Sequence, residues 1–207
     1  MQQKRGLQKR WLRNTLSLVL ALVLVCVTAL SVTVAAYYYS NMQAGMESKA
    51  RTSTSFFENY IGQSYNEFYR SYINRSYNEY YQSCAKFTQS FDSKDVMELQ
   101  FINTNNRIVA SSFGRFSGKV NVTSDVTDAI STKKISTFTG TNPATGERIM
   151  AVSSPLIYSN GEVIGVLRYV TSLKKVDRQI LLFSVMVTLV GAVILLIVYV
   201  SGKYYIK

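Results

Sequence analysis

Pro155-Leu156-Ile157-Tyr158-Ser159-Asn160-Gly161-Glu162-Val163-Ile164-Gly165-Val166-Leu167-Arg168-Tyr169-Val170, followed after residues 171–179 by the uncharged run 180–200, organises the rest of the chain. Leu156 to Tyr158 is a short apolar run that ends at Ser159-Asn160-Gly161. Asn-Gly is the strongest two-residue hairpin signal, because a type I′ turn needs φ > 0 at both central positions. Residues 163–170 are β-branched and aromatic-rich, long enough for a central strand. At about 1.5 Å per residue, the uncharged run 180–200 suffices for a bilayer core of about 30 Å. The last strand of a folded domain is therefore expected to feed a membrane helix almost directly.

A second apolar run covers residues 15–36. The net charge is +11, yet all 12 acidic residues lie between the two runs. Lys4, Arg5, Lys9, Arg10 and Arg13 precede the first run, and Lys203 and Lys207 follow the second. This is the positive-inside pattern. It predicts a two-pass protein of the cell membrane with both termini cytoplasmic and the middle domain outside. The basic balance is thus a topology signal, and no nucleic-acid partner is expected. Val34-Ala35-Ala36 resembles a signal cleavage site, but secretory h-regions run about 7–15 residues, so the first run is read as an uncleaved anchor. Trp11 and Tyr37-Tyr38-Tyr39 stand where interfacial aromatics belong. The expected organisation is a basic leader 1–14, a membrane helix 15–36, an outer domain 37–179, a second membrane helix 180–200, and a cytoplasmic linker start 201–207.

Within the outer domain, Phe57, Ile61, Tyr65, Phe68, Tyr72, Ile73, Tyr77, Tyr80, Cys84, Phe87 and Phe91 recur at steps of mostly four and three. That spacing predicts one face of a single long helix over about 40–91, able to run on from the membrane helix. Its rings either cover a sheet or partner helix or offer a stacking surface for a ligand. Asp92-Ser93-Lys94-Asp95 breaks the pattern. Asp92, Asp95 and Glu98 are read as caps or solvated surface in preference to a cation site.

The period then changes to two. Residues 97–102 and 107–111 flank Asn103-Thr104-Asn105-Asn106 as strand, turn and strand. Ser124-Asp125 is expected to cap a short helix to about Ser131. Strands follow over 133–139 and over 147–153, the latter ending near Pro155, and the fifth is 163–170. About five antiparallel strands packed on a long helix make an α+β domain.

The layout resembles the extracytoplasmic single Cache (PAS-like) domain of bacterial transmembrane receptors. The resemblance is carried by Leu99-Gln100-Phe101-Ile102-Asn103-Thr104-Asn105-Asn106-Arg107-Ile108-Val109-Ala110-Ser111-Ser112, by Thr145 through Leu156 with its Ser154-Pro155 step, and by Asn160 through Val170. It covers about residues 40–179. It implies a five-stranded PAS/Cache-like sheet and a sensory role at the amino-terminal part of a bacterial two-component sensor histidine kinase. Chemoreceptors and cyclic-dinucleotide enzymes are alternative outputs, and a membrane-tethered binding module without output is a further one. Residues 201–207 look like the start of a kinase linker, and reading the coding sequence past Lys207 discriminates these outcomes.

The sequence contains no histidine. This removes a phosphoacceptor histidine and the Ser-His-Asp, Cys-His and His-metal arrangements, so neither an enzyme in this chain nor a cofactor or metal is expected. Cys26 lies in the first membrane run and Cys84 in the outer domain, so no intrachain disulfide follows. Cys84 is either a small buried residue or a pairing point across a dimer. Arg148 and Arg168 are the odd residues of the apolar strands, where a buried guanidinium needs an anion. Each has an internal partner among Glu147, Glu162 and Asp125, or snorkels to the surface, or serves as a bidentate fork for a carboxylate ligand, with Tyr169 and Tyr158 adding a ring and a hydroxyl. Arg148, Arg168, Tyr169, Tyr158 and Asp125 are therefore the candidate ligand-binding set. The expected partners are a small-molecule or peptide signal, the membrane, and a second copy in a parallel homodimer. The dimer expectation rests on the aromatic stripe and on Ser184, Thr188 and Gly191 along one face of the second span.

Overall fold

Strand β5 (Val163–Ser172) lies at the centre of a five-stranded antiparallel sheet of order β2-β1-β5-β4-β3. The computed structural model describes residues 2–70, 76–114, 123–157 and 161–205, with side chains described at 13–58, 81–114, 123–157 and 161–204. The other elements are α1 (Gln2–Arg70), α2 (Ser76–Gln89), β1 (Glu98–Asn103), β2 (Ile108–Ser111), α3 (Ser124–Thr132), β3 (Ser136–Thr141), β4 (Arg148–Ile157) and α4 (Lys174–Tyr205). Two compact units result: Asn41–Lys174, and Met1–Ser40 with Lys175–Lys207.

In the first unit, β1, β4 and β5 read as near-continuous buried runs because both faces of the sheet are covered. On one face Phe57 of α1 meets Phe101 at 4.5 Å between ring centroids and Phe87 of α2 at 5.4 Å. On the other, Val126 and Ala129 of α3 pack on Ile102, Ile108 and Val166. Burying one such large apolar side chain stabilises by about 1.5–3 kcal/mol.

The aromatic stripe does not belong to one helix. A continuous helix would separate residues 57 and 87 by about 45 Å at 1.5 Å per residue. Instead the Phe57 and Phe87 rings touch, and Lys49 Nζ donates to Ser93 Oγ at 2.8 Å. Helix α2 thus returns along α1. Phe57 of α1 and Phe87 of α2 both pack on Phe101 of the sheet, so members of one sequence stripe are shared between two helices. Ile61, Tyr65, Phe68, Tyr72, Ile73, Tyr77 and Tyr80 lie outside the described side chains.

The strand readings shift in one place of consequence. Pro155 does not end a strand; β4 passes through it to Ile157, so Leu156 and Ile157 continue it, while Tyr158 lies outside the described residues. Strand β3 pairs with β4 only as far as Ser136↔Ser153, so the missing N–H of Pro155 lies past the end of β3, on a flank that has become an edge. The β1–β2 turn is closed by Asn103, whose Oδ1 accepts the N–H groups of Asn105 and Arg107 at 3.1 and 2.9 Å, with Asn106 at φ 58°. Gly161, at φ 82°, supplies the left-handed residue of the β4–β5 connection.

Among the described residues two helices are long and apolar enough to cross a bilayer, α1 over Arg13–Glu58 and α4 over Lys174–Tyr204. Polar groups in hydrocarbon must be satisfied internally. Accordingly Thr28 donates to the Leu24 carbonyl at 2.9 Å, Thr33 to that of Ala29 at 2.8 Å, and Thr188 to that of Ser184 at 2.8 Å. Gly191 is buried against α1: a Cβ there would lie 2.7 Å from Val23 Cγ1. The Tyr39 hydroxyl donates to Asp177 Oδ1.

Candidate functional site

The sheet register aligns a row of polar side chains through the middle of an otherwise apolar face. Arg168 of β5 is paired with Gln100 of β1 and Ser153 of β4, and the row continues to Ser111 of β2 and Ser136 of β3. On either side of this row lie Ile102 with Val166, and Ala151 with Val170. A guanidinium in that setting needs an anion, and α3 brings one.

Asp125, in the first turn of α3, is fully buried and receives Arg168 Nε on Oδ2 at 2.8 Å. Arg168 Nη2 reaches Asp125 Oδ1 at 3.4 Å and Thr123 Oγ1 at 2.5 Å, and Nη1 donates to Gln100 Oε1 at 3.2 Å. The Ser153 hydroxyl donates to Asp125 Oδ2 at 2.6 Å, and the Thr123 hydroxyl donates to Oδ1. All three guanidinium nitrogens and both carboxylate oxygens are therefore engaged. Thr123, not Ser124, is the N-cap residue of α3, and its hydroxyl serves the Asp125–Arg168 pair instead of capping the helix. Chemically this is a lock that ties α3 to three strands. An incoming carboxylate would have to displace Asp125 from the fork.

The next residue of β5 points to the opposite face. Tyr169 is buried, its ring 5.7 Å from that of Phe91, and its hydroxyl donates to Ser53 Oγ of α1 at 2.6 Å. Burial pushes the phenol above its usual range, partly offset by the bond to Ser53. The phenol forms the floor of a cleft of about 380 Å³ between α1 and the α2–β1 connection. Lys49 stands at its side, held by Ser93 and lying 6.0 Å above the centre of the Phe91 ring.

The other residues singled out from sequence lie apart. Arg148 is exposed at the start of β4, and its carbonyl accepts the Leu173 N–H at 3.0 Å. Glu147 accepts the Ser172 hydroxyl at 2.5 Å, and Glu98 that of Ser111 at 2.5 Å. Tyr158 lies outside the described residues. Cys84 is buried and Cys26 is exposed on α1, and neither forms a disulfide among the described residues. Among the described residues no three carboxylates or thiolates cluster as a metal site. Sequence reasoning missed Gln100, Ser153, Thr123, Lys49 and Ser53. For Gln100 and Ser153 a signal existed, since each is a polar residue inside an apolar strand; Thr123, Lys49 and Ser53 carried none.

Among the described residues, a five-stranded antiparallel sheet has two antiparallel helices on one face and a short helix on the other, and it is flanked in sequence by two apolar helices; this arrangement is similar to that of Cache (PAS-like) sensor domains. In particular, residues 85–171 match the family model described as "WalK sensor protein kinase Chache domain". No curated protein matches the chain. Solved structures with a similar arrangement include the ligand-binding domain of the Pseudomonas aeruginosa PAO1 amino acid chemoreceptor PctC in complex with GABA, at 12% identity and TM-score 0.43 over 78% of this chain. Others are the ligand-binding domain of the Campylobacter jejuni chemoreceptor Tlp3 with L-valine, at 14% identity and TM-score 0.44 over 86% of this chain, and the sensor domain of the V. cholerae histidine kinase DctB, at 12% and 0.39 over 67%. The chain spans 64%, 66% and 57% of those three chains, respectively.

Proposed function

We propose that this chain is the signal-sensing region of a membrane-bound two-component sensor histidine kinase, with the sheet domain outside the cell and both termini in the cytoplasm. The observation that carries this reading is the junction between the central strand and the second apolar helix. Leu173 alone separates β5 from α4, it is 0% exposed, and its N–H is bonded to the Arg148 carbonyl. A junction held in this way leaves no slack, so a rearrangement of β5 reaches the helix as a displacement of about 1–2 Å. The signal is a small molecule or peptide that binds one arrangement better than the other, because only a difference in affinity shifts the balance. The basic flanks Lys4–Arg13 and Lys203–Lys207 support the orientation. A parallel homodimer is part of the proposal. Phe57 and Gly191 are engaged within the chain, so the partner copy is met by residues other than these.

The test is a fusion of this chain, through Lys207, to the catalytic core of a histidine kinase. Asp125→Ala, which opens the lock beside β5, should shift autophosphorylation of the fusion in membranes. Equal activity of the two fusions, with both sensor domains folded, would refute the relay. A cysteine introduced at Asn160 should react with an impermeant thiol reagent on intact cells and one at Gln3 should not, and the opposite pattern removes the orientation.

A further inference from the structure

We propose that the cleft floored by Tyr169, on the face of the sheet away from the Arg168–Asp125 pair, is a ligand site for a small carboxylate-bearing sugar of the uronic-acid class. Its volume of about 380 Å³ falls within the range of small-molecule pockets. Lys49 supplies the cation. Among the described residues no carboxylate lies within ion-pair distance of it, and its Nζ is held by the Ser93 hydroxyl and the Phe91 ring alone. An ammonium so placed favours a carboxylate brought by a ligand.

The rest of the lining selects for hydroxyls. Ser53 Oγ already accepts the Tyr169 hydroxyl, so its own O–H remains to donate. Asp92 lines the same cleft as a pure acceptor, suited to a pair of sugar hydroxyls. Phe91 offers a ring against which the C–H face of a pyranose packs. A simple anion would leave Asp92 opposed to it, and a neutral sugar would leave Lys49 without a counter-charge. The combination fits a ring bearing one carboxylate and several hydroxyls. Such a ligand would bridge α1, the α2–β1 connection and β5 at once. Binding at this cleft stands by itself, and its consequence for signalling rests on the sensing role proposed above.

The experiment is calorimetric titration of the full chain in detergent micelles with D-glucuronate, D-glucose and acetate. Glucuronate should bind saturably and the other two at least about tenfold more weakly, as expected for loss of one charge-assisted contact or of the hydroxyl contacts. Lys49→Met and Asp92→Asn, both exposed and so harmless to folding, should each weaken glucuronate by about tenfold, with Lys134→Met as the control for net charge. No saturable heat up to about 10 mM, equal binding of acetate, or unchanged binding in Lys49→Met would overturn the assignment. If glucuronate binds as described but the kinase fusion fails to respond to Asp125→Ala, the site stands and the relay falls. If the fusion responds and no uronate binds, the relay stands and the site falls.

Discussion

The Arg168 guanidinium and the Asp125 carboxylate, 43 positions apart in the chain, meet at 2.8 Å with side chains 7% and 0% exposed. Neither charge is near water, so each depends on the other. Removing one partner of such a pair costs about 3–5 kcal/mol, because it leaves an uncompensated buried charge. Arg168→Met should therefore lower the urea midpoint of the sensor domain steeply. Arg168→Met with Asp125→Asn should recover part of the loss, since the stranded charge is gone. Equal stability of the single and double variants would show that desolvated charge is not the reason for the pair.

Tyr169 predicts an alkaline limit to stability. Its folded phenol titrates above the unfolded value of 10.0 because burial disfavours the phenolate. The proton is therefore held more tightly in the folded state. The resulting stability is complete below pH 10.0 and is lost as pH rises through the folded value. Tyr169→Phe should remove this contribution to the alkaline slope. At neutral pH it should cost about 0.5–1.5 kcal/mol for the bond to Ser53. Parallel stability–pH curves for the two proteins above pH 10.0 would contradict the assignment.

Gly191 sets the approach of the two apolar helices. A Cβ there meets Val23 Cγ1 at 2.7 Å, and valine, being β-branched, has little rotamer freedom with which to yield. Gly191→Leu should separate α1 from α4. The readout is cross-linking, by a bifunctional thiol reagent of about 10 Å span, of cysteines replacing Tyr39 and Asp177, whose side chains are hydrogen-bonded. In a background without Cys26 and Cys84, that cross-link should form readily with Gly191 and poorly with leucine. Unchanged cross-linking would mean that the helices accommodate the side chain.

The Leu173 junction predicts what slack would do. Inserting Gly-Gly-Ser-Gly after Ser172 should leave the sheet domain folded, since all five strands lie before the insertion. In a kinase fusion the same insertion should abolish the response to Asp125→Ala. A response that survives in full would make α1, which is continuous from Gln2 to Arg70, the better route.

Periodicity and composition were enough for the parts of this protein that depend on near neighbours in the chain. Two uncharged runs are membrane-length helices because each residue's transfer cost is local. The Asn103–Asn106 turn is legible because side-chain bonds span only a few positions. The five strands and the α+β class followed from a change of period and from the resemblance carried by residues 99–112, 145–156 and 160–170. Choices between distant partners were of another kind. Asp125, Glu147 and Glu162 were equal candidates for Arg168 until the register put Gln100 and Ser153 beside it and α3 brought Asp125 onto the same face. Members of the aromatic stripe are shared between two antiparallel helices, which its 3–4 spacing did not distinguish from one. Lys49 and Ser53 became visible only when folding carried α1 over Tyr169. Side-chain spacing records which face of an element is apolar, whereas the register between elements, which selects partners, is a property of the whole packed sheet.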